Sequence, residues 1–288
     1  MAQELEDKII NHLVAKYILE DTFERKFVNS QTATRKEKGT SYSIKLLRKY
    51  LSKLKDKPIY YLKIDIKKYF YSLDHDILKN IKDKKALNIL CEIIDSTNHS
   101  YINNNILNLK NKKINTLTDI KIINEINSIP VYKYNKGCPI GNQTSQIFGL
   151  IYLHELNHFV KEKLHLKYVI NYMDDFVILS HDKNYLIKCL DIIKEKLKIY
   201  KLEINYKKTF IGNLKGGLDF LGYVFYIKNN KIYIKLRNRT KKKYIKITKE
   251  LKLLLKNNYI DKKFYNMRLS SYKGMLKYNY CLWRKYIW

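Results

Sequence analysis

Three prolines and nine glycines among 288 residues leave no stretch able to act as a long flexible linker. Four cysteines, Cys91, Cys138, Cys189 and Cys281, stand far apart, without the paired spacing of a zinc ligand set or a redox couple. They read as reduced, small apolar side chains of a cytoplasmic protein. No run approaches the roughly 20 apolar residues that a membrane span needs, and the N-terminal MAQELEDKII is acidic where a signal peptide would be apolar. A soluble, intracellular chain with no membrane partner is expected. Acidic residues are also scarce, 27 Asp and Glu against 57 Lys and Arg, for a net charge of +30. Part of that excess follows the Lys, Asn, Ile and Tyr usage of AT-rich coding; the remainder predicts a polyanionic partner, nucleic acid above all. A hydrophobic share of 45% excludes wholesale disorder, and the length allows one large unit or two to three lobes.

Periodicity sets out the elements that are present. Leu5, Ile9, Ile10, Leu13 and Tyr17 recur at helical spacing over 4–20, and Ile44, Leu47 and Leu51 do so after the polar, basic loop QTATRKEKGT (31–40). YYLKIDI (60–66) has the character of a buried strand, 74–97 reads as helix, and 98–136 is Asn- and Lys-rich with weak periodicity. A helix is predicted over 144–164, a two-strand hairpin over 167–180 and a helix over 183–200, with strands near 203–212, 219–227 and 231–236. The last 53 residues differ, with 16 Lys and Arg against two acids. Tyr244, Ile247, Leu251 and Leu254 recur between them, which predicts an amphipathic helical lobe with a basic face, suited to gripping a duplex or simply solvated.

The chemistry concentrates on carboxylates. Asp174 and Asp175 sit at the turn of an apolar hairpin, where adjacent carboxylates repel and desolvate poorly unless a cation or open solvent receives them. Asp65 ends a second apolar strand, where burial again gains it nothing. If the two elements share a sheet, three carboxylates converge. Such hard oxygen donors suit Mg²⁺, and paired ions run in-line phosphoryl displacement. Nearby lysines neutralising the trio are the plainer alternative.

KIDIKKYFYSLDH (63–75), GCPIGNQTSQ (137–146), NYMDDF (171–176), NYKKT (205–209) and GLDFLGY (217–223) follow the order and rough spacing of reverse-transcriptase motifs A to E. Over nearly its whole length the chain resembles that family. The form IGNxTSQ, RKEKGT (35–40) and SSYKGMLKYNYCLWRKY (270–286) resemble the reverse transcriptases of diversity-generating retroelements in particular. The resemblance implies an α+β right-hand polymerase fold: partial fingers over 1–58, a palm over 59–235 that includes the unmatched 98–136, and a basic helical thumb over 236–288. Relatives carry a further fingers segment before ELEDKIINHLV, expected to be missing here, and many have Arg where Asn171 stands.

The implied activity is RNA-directed DNA synthesis with two Mg²⁺ ions, Mn²⁺ being able to substitute. Template RNA, primer and cDNA would be partners, with a small basic accessory protein, in a bacterial, archaeal or phage-encoded system. A stand-alone defence-associated reverse transcriptase is the alternative, and a catalytically inactive RNA-binding scaffold a further one. By resemblance Asp65, Asp174 and Asp175 hold the metals with the Ile66 carbonyl, and Lys208 is the general acid toward departing pyrophosphate. Phe70 is the steric gate against ribonucleotides, or else an ordinary core aromatic. Gly141, Asn142 and Gln146 line the nucleotide and template-base pocket, or else start a helix. Arg35 and Lys38 are candidate phosphate contacts, and Lys241, Lys242 and Lys243 candidate duplex contacts. Leu218, Phe220, Leu221 and Tyr223 are expected in a primer-supporting hairpin, with core packing an equal explanation.

Overall fold

A computed structural model describes residues 5–80, 84–95, 99–114 and 120–276. Cys281 and the 277–286 part of the thumb resemblance lie outside these residues. The described chain is α+β and divides into two compact units built from interleaved segments. The first comprises 1–39, 63–177 and 188–210, the second 40–62, 178–187 and 211–288. Strands β1 (Tyr60–Asp65), β2 (Tyr168–Tyr172), β3 (Asp175–Ser180) and β4 (Phe210–Asn213) form a sheet in the order β2-β3-β1-β4. Strands β5 (Leu218–Phe220), β6 (Tyr223–Lys228) and β7 (Lys231–Leu236) form an antiparallel sheet in that order. No helix among the described residues is long and apolar enough to cross a membrane.

Continuous apolar runs produce strands covered on both faces. Val169, Ile170 and Asn171 of β2 and the Phe176–Leu179 run of β3 are all buried. The hairpin between them turns through Met173, whose φ of 57° lies in the left-handed region. In the second unit, helix Thr40–Leu54 buries Ser43, Ile44, Leu47, Leu51 and Leu54 at the expected spacing. Two further hairpins turn through pairs with positive φ, Leu221–Gly222 and Asn229–Asn230, the backbone that two-residue hairpin loops favour.

The structure corrects some expectations and refines others. The apolar stripe of the first helix, Leu5–Val14, does not face the core: Leu5, Ile9, Ile10 and Leu13 are exposed, as is Tyr17 beyond it. Burial falls instead on Ala15 and Leu19 of the π-helical turn Ala15–Glu20 that continues it. The helix expected over 74–97 is two, His75–Lys79 and Lys84–Asp95, the first capped by Asp74, whose carboxylate accepts from the Ile77 N–H at 3.3 Å. That expected over 144–164 breaks at Leu153 into Gln143–Tyr152 and His154–Glu162. The weakly periodic 98–136 region contains helices His99–Ile114 and Ile120–Asn127. NYKKT is a turn rather than a strand, because Asn205 accepts the Lys207 N–H on its side chain and the Lys208 and Thr209 N–H groups on its carbonyl, at 3.2, 3.0 and 2.9 Å.

The C-terminal lobe is helical. Helices Asn238–Lys256 and Lys262–Leu276 pack through Tyr244, Leu251 and Leu269, with Ile247, Ile260 and Tyr265 around them. Leu254, expected on that face, is exposed.

Candidate active site

Asp65 leaves β1 beside the hairpin turn, since the N–H of Ile66 donates to the Asp174 carbonyl at 3.2 Å. Two apolar strands thus deliver three carboxylates to one end of the sheet. The NYKKT turn wraps the first of them. Asn205 donates to the Asp65 carboxylate at 2.9 Å, and the Lys208 ammonium meets its other oxygen at 3.2 Å. The Asp65 N–H donates to the Thr209 hydroxyl at 3.2 Å and its carbonyl accepts from the Asn205 N–H at 2.7 Å. Lys208 is largely exposed, so that pair contributes at most about 1 kcal/mol and leaves the ammonium free to swing.

Asp175 meets a different lysine. One carboxylate oxygen faces the Lys63 ammonium at 3.3 Å; the other is buried and accepts no hydrogen bond. Burial pushes this carboxyl up to about 6 against the lowering pull of Lys63, with Asp174 and Asp65 adding to the rise. Burial also raises Asp174, and the Asp65 charge adds to it, while Lys208 and Lys63 oppose. Among the described residues no three His, Cys, Asp or Glu side chains form a ready cage for an ion: Asp65 is held by Asn205 and Lys208, Asp175 by Lys63. The donor set nevertheless fits a hard divalent cation. It is all oxygen, the Asp65 charge raises both Asp174 and Asp175, and a buried Asp175 oxygen lacks any donor. Lys63 and Lys208 act as the neutralising lysines that the plainer reading required, and Lys63 and Asn205 went unnamed by sequence reasoning although both lie within the motifs it used.

The hairpin turn has its own scaffold. Asn171 is buried, and its amide donates to the Met173 carbonyl at 2.6 Å while its side-chain oxygen accepts from Asn157 at 3.2 Å. Backbone bonds at 2.9 and 2.8 Å tie Asn171 to Thr32 and Ser30. Asn171 therefore holds the one residue of the turn that adopts a left-handed conformation, immediately before the two acids.

Phe70 is half-buried and stands edge-on to Tyr69 at 5.5 Å. The Tyr69 hydroxyl donates to the Gly149 carbonyl at 2.5 Å. A Cβ on Gly149 would lie 3.2 Å from the Tyr69 ring and 3.4 Å from that of Phe70, so glycine lets helix Gln143–Tyr152 approach this pair. The Cys138 N–H donates to the Phe70 carbonyl at 2.8 Å, which binds the GCPIGN segment to the Phe70 turn. Gly137 is the glycine that close approach demands, with φ of 90° and a Tyr132 ring carbon 2.6 Å from where its Cβ would be. Gly141 has φ of 111° with open space about it, so its backbone conformation alone calls for glycine. Asn142 is the N-cap of the following helix without a side-chain capping bond, and Gln146 lies half-buried on its first turns. Helix Leu5–Val14 reaches this segment, with the Thr144 hydroxyl donating to Asn11 at 2.7 Å and His12 meeting Gln143 at 2.5 Å.

Arg35 requires a correction. Its guanidinium is buried, donates to both Glu24 carboxylate oxygens and to the Glu24, Val28 and Gln31 carbonyls, and lies over the Phe27 ring. A fork with all its donors engaged inside the fold is a buried strut and not a phosphate contact. Lys38 is half-buried, and burial and the neighbouring Arg35 charge lower its pKa. In the second unit, Leu218, Phe220 and Tyr223 are buried, as core packing requires, and Leu221 forms the turn. Lys241, Lys242 and Lys243 lie on the first turns of helix Asn238–Lys256, the latter two exposed.

Residues 2–225 match the family of reverse transcriptases (RNA-dependent DNA polymerases). The chain belongs to the reverse transcriptase family. Members of this family generally use divalent metal ions, and this reverse transcriptase offers three carboxylates at one end of its four-stranded sheet. Its α+β architecture with antiparallel strands is consistent with the right-hand polymerase fold. Among solved structures it is similar to apo telomerase from Candida tropicalis truncated from the C-terminal domain, at 18% identity and a TM-score of 0.46, over 78% of this chain and 44% of that one. Telomerase from Candida albicans in complex with a TWJ fragment of telomeric RNA aligns at 17% identity and a TM-score of 0.46, over 87% of this chain and 42% of that one. This reverse transcriptase spans less than half the length of either. No curated protein matches it.

Proposed function

We propose that this reverse transcriptase copies template RNA into cDNA by two-metal nucleotidyl transfer within a diversity-generating retroelement. The observation that carries the reading is the meeting of Asp65 with the Asp174–Asp175 turn, with a buried Asp175 oxygen left without a donor. Asp65, Asp174 and Asp175, with the Ile66 carbonyl, would hold two Mg²⁺ ions, which when bound activate the primer hydroxyl and neutralise charge building on the phosphates. The remaining work falls to the chain. Lys208, loosely paired and mobile, donates a proton to departing pyrophosphate. Lys63 compensates Asp175 in the metal-free protein and keeps the buried carboxylate from collapsing the turn. Phe70, fixed by Tyr69 and Gly149, abuts the sugar and excludes a 2′-hydroxyl, while Gly141, Asn142 and Gln146 border the incoming nucleotide and the template base.

In this assignment 1–58 serves as fingers, 59–235 as palm and 236–288 as a thumb whose Lys241, Lys242 and Lys243 meet the duplex backbone. The retroelement subtype rests on the IGNQTSQ form of motif B and brings with it a small basic accessory protein. The test is primer extension: the purified chain with Mg²⁺, primed RNA and four dNTPs should lengthen the primer in a template-dependent manner. Absence of extension with either Mg²⁺ or Mn²⁺, also when a basic accessory protein is supplied, overturns the proposal.

A further inference from the structure

Lys63 lies two residues before Asp65 in β1, so strand alternation puts both side chains on one face of the sheet. The neighbouring strand β3 begins at Asp175. The Lys63 ammonium reaches across to the acid turn and meets an Asp175 oxygen at 3.3 Å. The lysine side chain is 14% exposed and that of Asp175 22%, so little solvent screens the pair.

Lys208 offers the contrast. It meets Asp65 at 3.2 Å with its side chain 64% exposed, and water readily replaces that contact. Lys63 is largely enclosed, and its charge opposes the burial-driven rise of both the Asp174 and the Asp175 carboxyls. Three carboxylates and this ammonium leave two negative charges, the amount that one divalent cation neutralises.

We propose that Lys63 is a built-in counter-cation of the acid trio, competing with a divalent ion for Asp175 and thereby setting the metal affinity of the site. A cation entering beside Asp175 has two ways in. It can take the oxygen that Lys63 holds, or it can use the second, donorless oxygen and share the carboxylate with an ammonium. Either way like charges meet where screening is poor, and affinity falls below that of a site without the lysine. The same ammonium keeps a buried carboxylate compensated before any metal arrives. Lys63 is a positioning residue and not a ligand, since an ammonium has no lone pair to offer. The inference rests on the metal-holding role proposed for the trio, and its test reads binding rather than polymerisation.

The full chain is titrated with Mn²⁺ alone at a slightly alkaline pH, the free ion being followed by its electron paramagnetic resonance signal. Lys63→Gln still offers Asp175 a donor but carries no charge, and it should bind Mn²⁺ at least about tenfold more tightly than the parent. Lys63→Arg retains the charge and should bind within about threefold of the parent. Lys208→Gln removes an equally close but exposed cation and should tighten binding by less than about threefold. Saturating Mn²⁺ should also raise the unfolding midpoint of Lys63→Gln by more than it raises the parent's. Lys63→Met, which keeps the length of the stem, stands in if the glutamine variant fails to fold, and is held to the same result. A folded, uncharged variant that binds Mn²⁺ with the parent's affinity, or more weakly, overturns the inference and leaves the two-metal reading standing. Binding by neither parent nor variants at millimolar Mn²⁺ overturns both. Tighter binding by the uncharged variants from a parent that extends no primer would keep the inference and refute only the polymerase reading.

Discussion

Replacing Asn171 with alanine tests whether the acids are held by the scaffold described for their turn. The side chain is buried and makes two bonds, a donation to the Met173 carbonyl at 2.6 Å and an acceptance from Asn157 at 3.2 Å. Asn171→Ala leaves both partners unsatisfied in the interior, and each such group costs about 1–3 kcal/mol. Asn157 keeps its bond to the Leu153 carbonyl at 2.8 Å, so its loss falls at the lower end. Met173 meanwhile loses the bond that supports its left-handed φ of 57°, a conformation worth roughly 1–2 kcal/mol of strain. A destabilisation of about 2–4 kcal/mol follows, seen as a fall of roughly 5–12 °C in the unfolding midpoint. Relaxation of the turn displaces Asp174 and Asp175, and a misplacement near 1 Å costs on the order of a hundredfold in rate. The assay is steady-state primer extension: kcat should fall about ten- to a hundredfold while KM for dNTP stays within about twofold. Asn157→Ala, which spares the donation to Met173, should cost stability but little rate. If Asn171→Ala loses less than about 0.5 kcal/mol and extends primers at the parental rate, the turn is held by something else.

Three further outcomes are expected. Burial raises the Asp175 carboxyl from 3.8 to about 6 in the metal-free protein. Its contribution to stability is therefore full below about pH 4 and lost as pH rises through 6, by up to about 3 kcal/mol. In urea unfolding with EDTA, Asp175→Asn should gain on the parent by about 1–3 kcal/mol between pH 4 and pH 8, and a constant difference contradicts the buried charge. Phe70→Ala should raise rNTP over dNTP incorporation at least about tenfold, and an unchanged ratio returns Phe70 to the core. Neutralising Lys241, Lys242 and Lys243 should flatten the salt slope of duplex binding by up to about 2–3 units, equally on unrelated sequences; an unchanged slope makes the cluster a solvated face.

What could be read from sequence follows physical lines. Asp65, Asp174 and Asp175 were legible because carboxylates interrupt apolar runs whose burial they oppose, and the runs themselves announce strands. Lys63 was not, since a lysine inside a strand motif looks like an edge residue until the pairing of Ile66 with Asp174 brings it to Asp175. Arg35 was misread because a basic loop suggests phosphate, whereas Glu24, eleven residues earlier, turns the guanidinium inward. The stripe from Leu5 to Tyr17 shows that helical periodicity identifies a helix without identifying what, if anything, covers it. NYKKT shows local side-chain bonds overriding strand propensity, since Asn205 supplies an alternative to ladder hydrogen bonds.

The central claim, that Asp174 is a metal-holding carboxylate, is tested most directly by Asp174→Asn in primer extension with Mg²⁺. The change is isosteric and removes charge from a site where burial already disfavours it, so the variant should fold with an unfolding midpoint at or above that of the parent. Extension should fall by at least about a thousandfold, as loss of a ligand to the metals that stabilise the transition state requires. A folded Asp174→Asn protein that extends primers at a rate comparable with the parent would contradict the account.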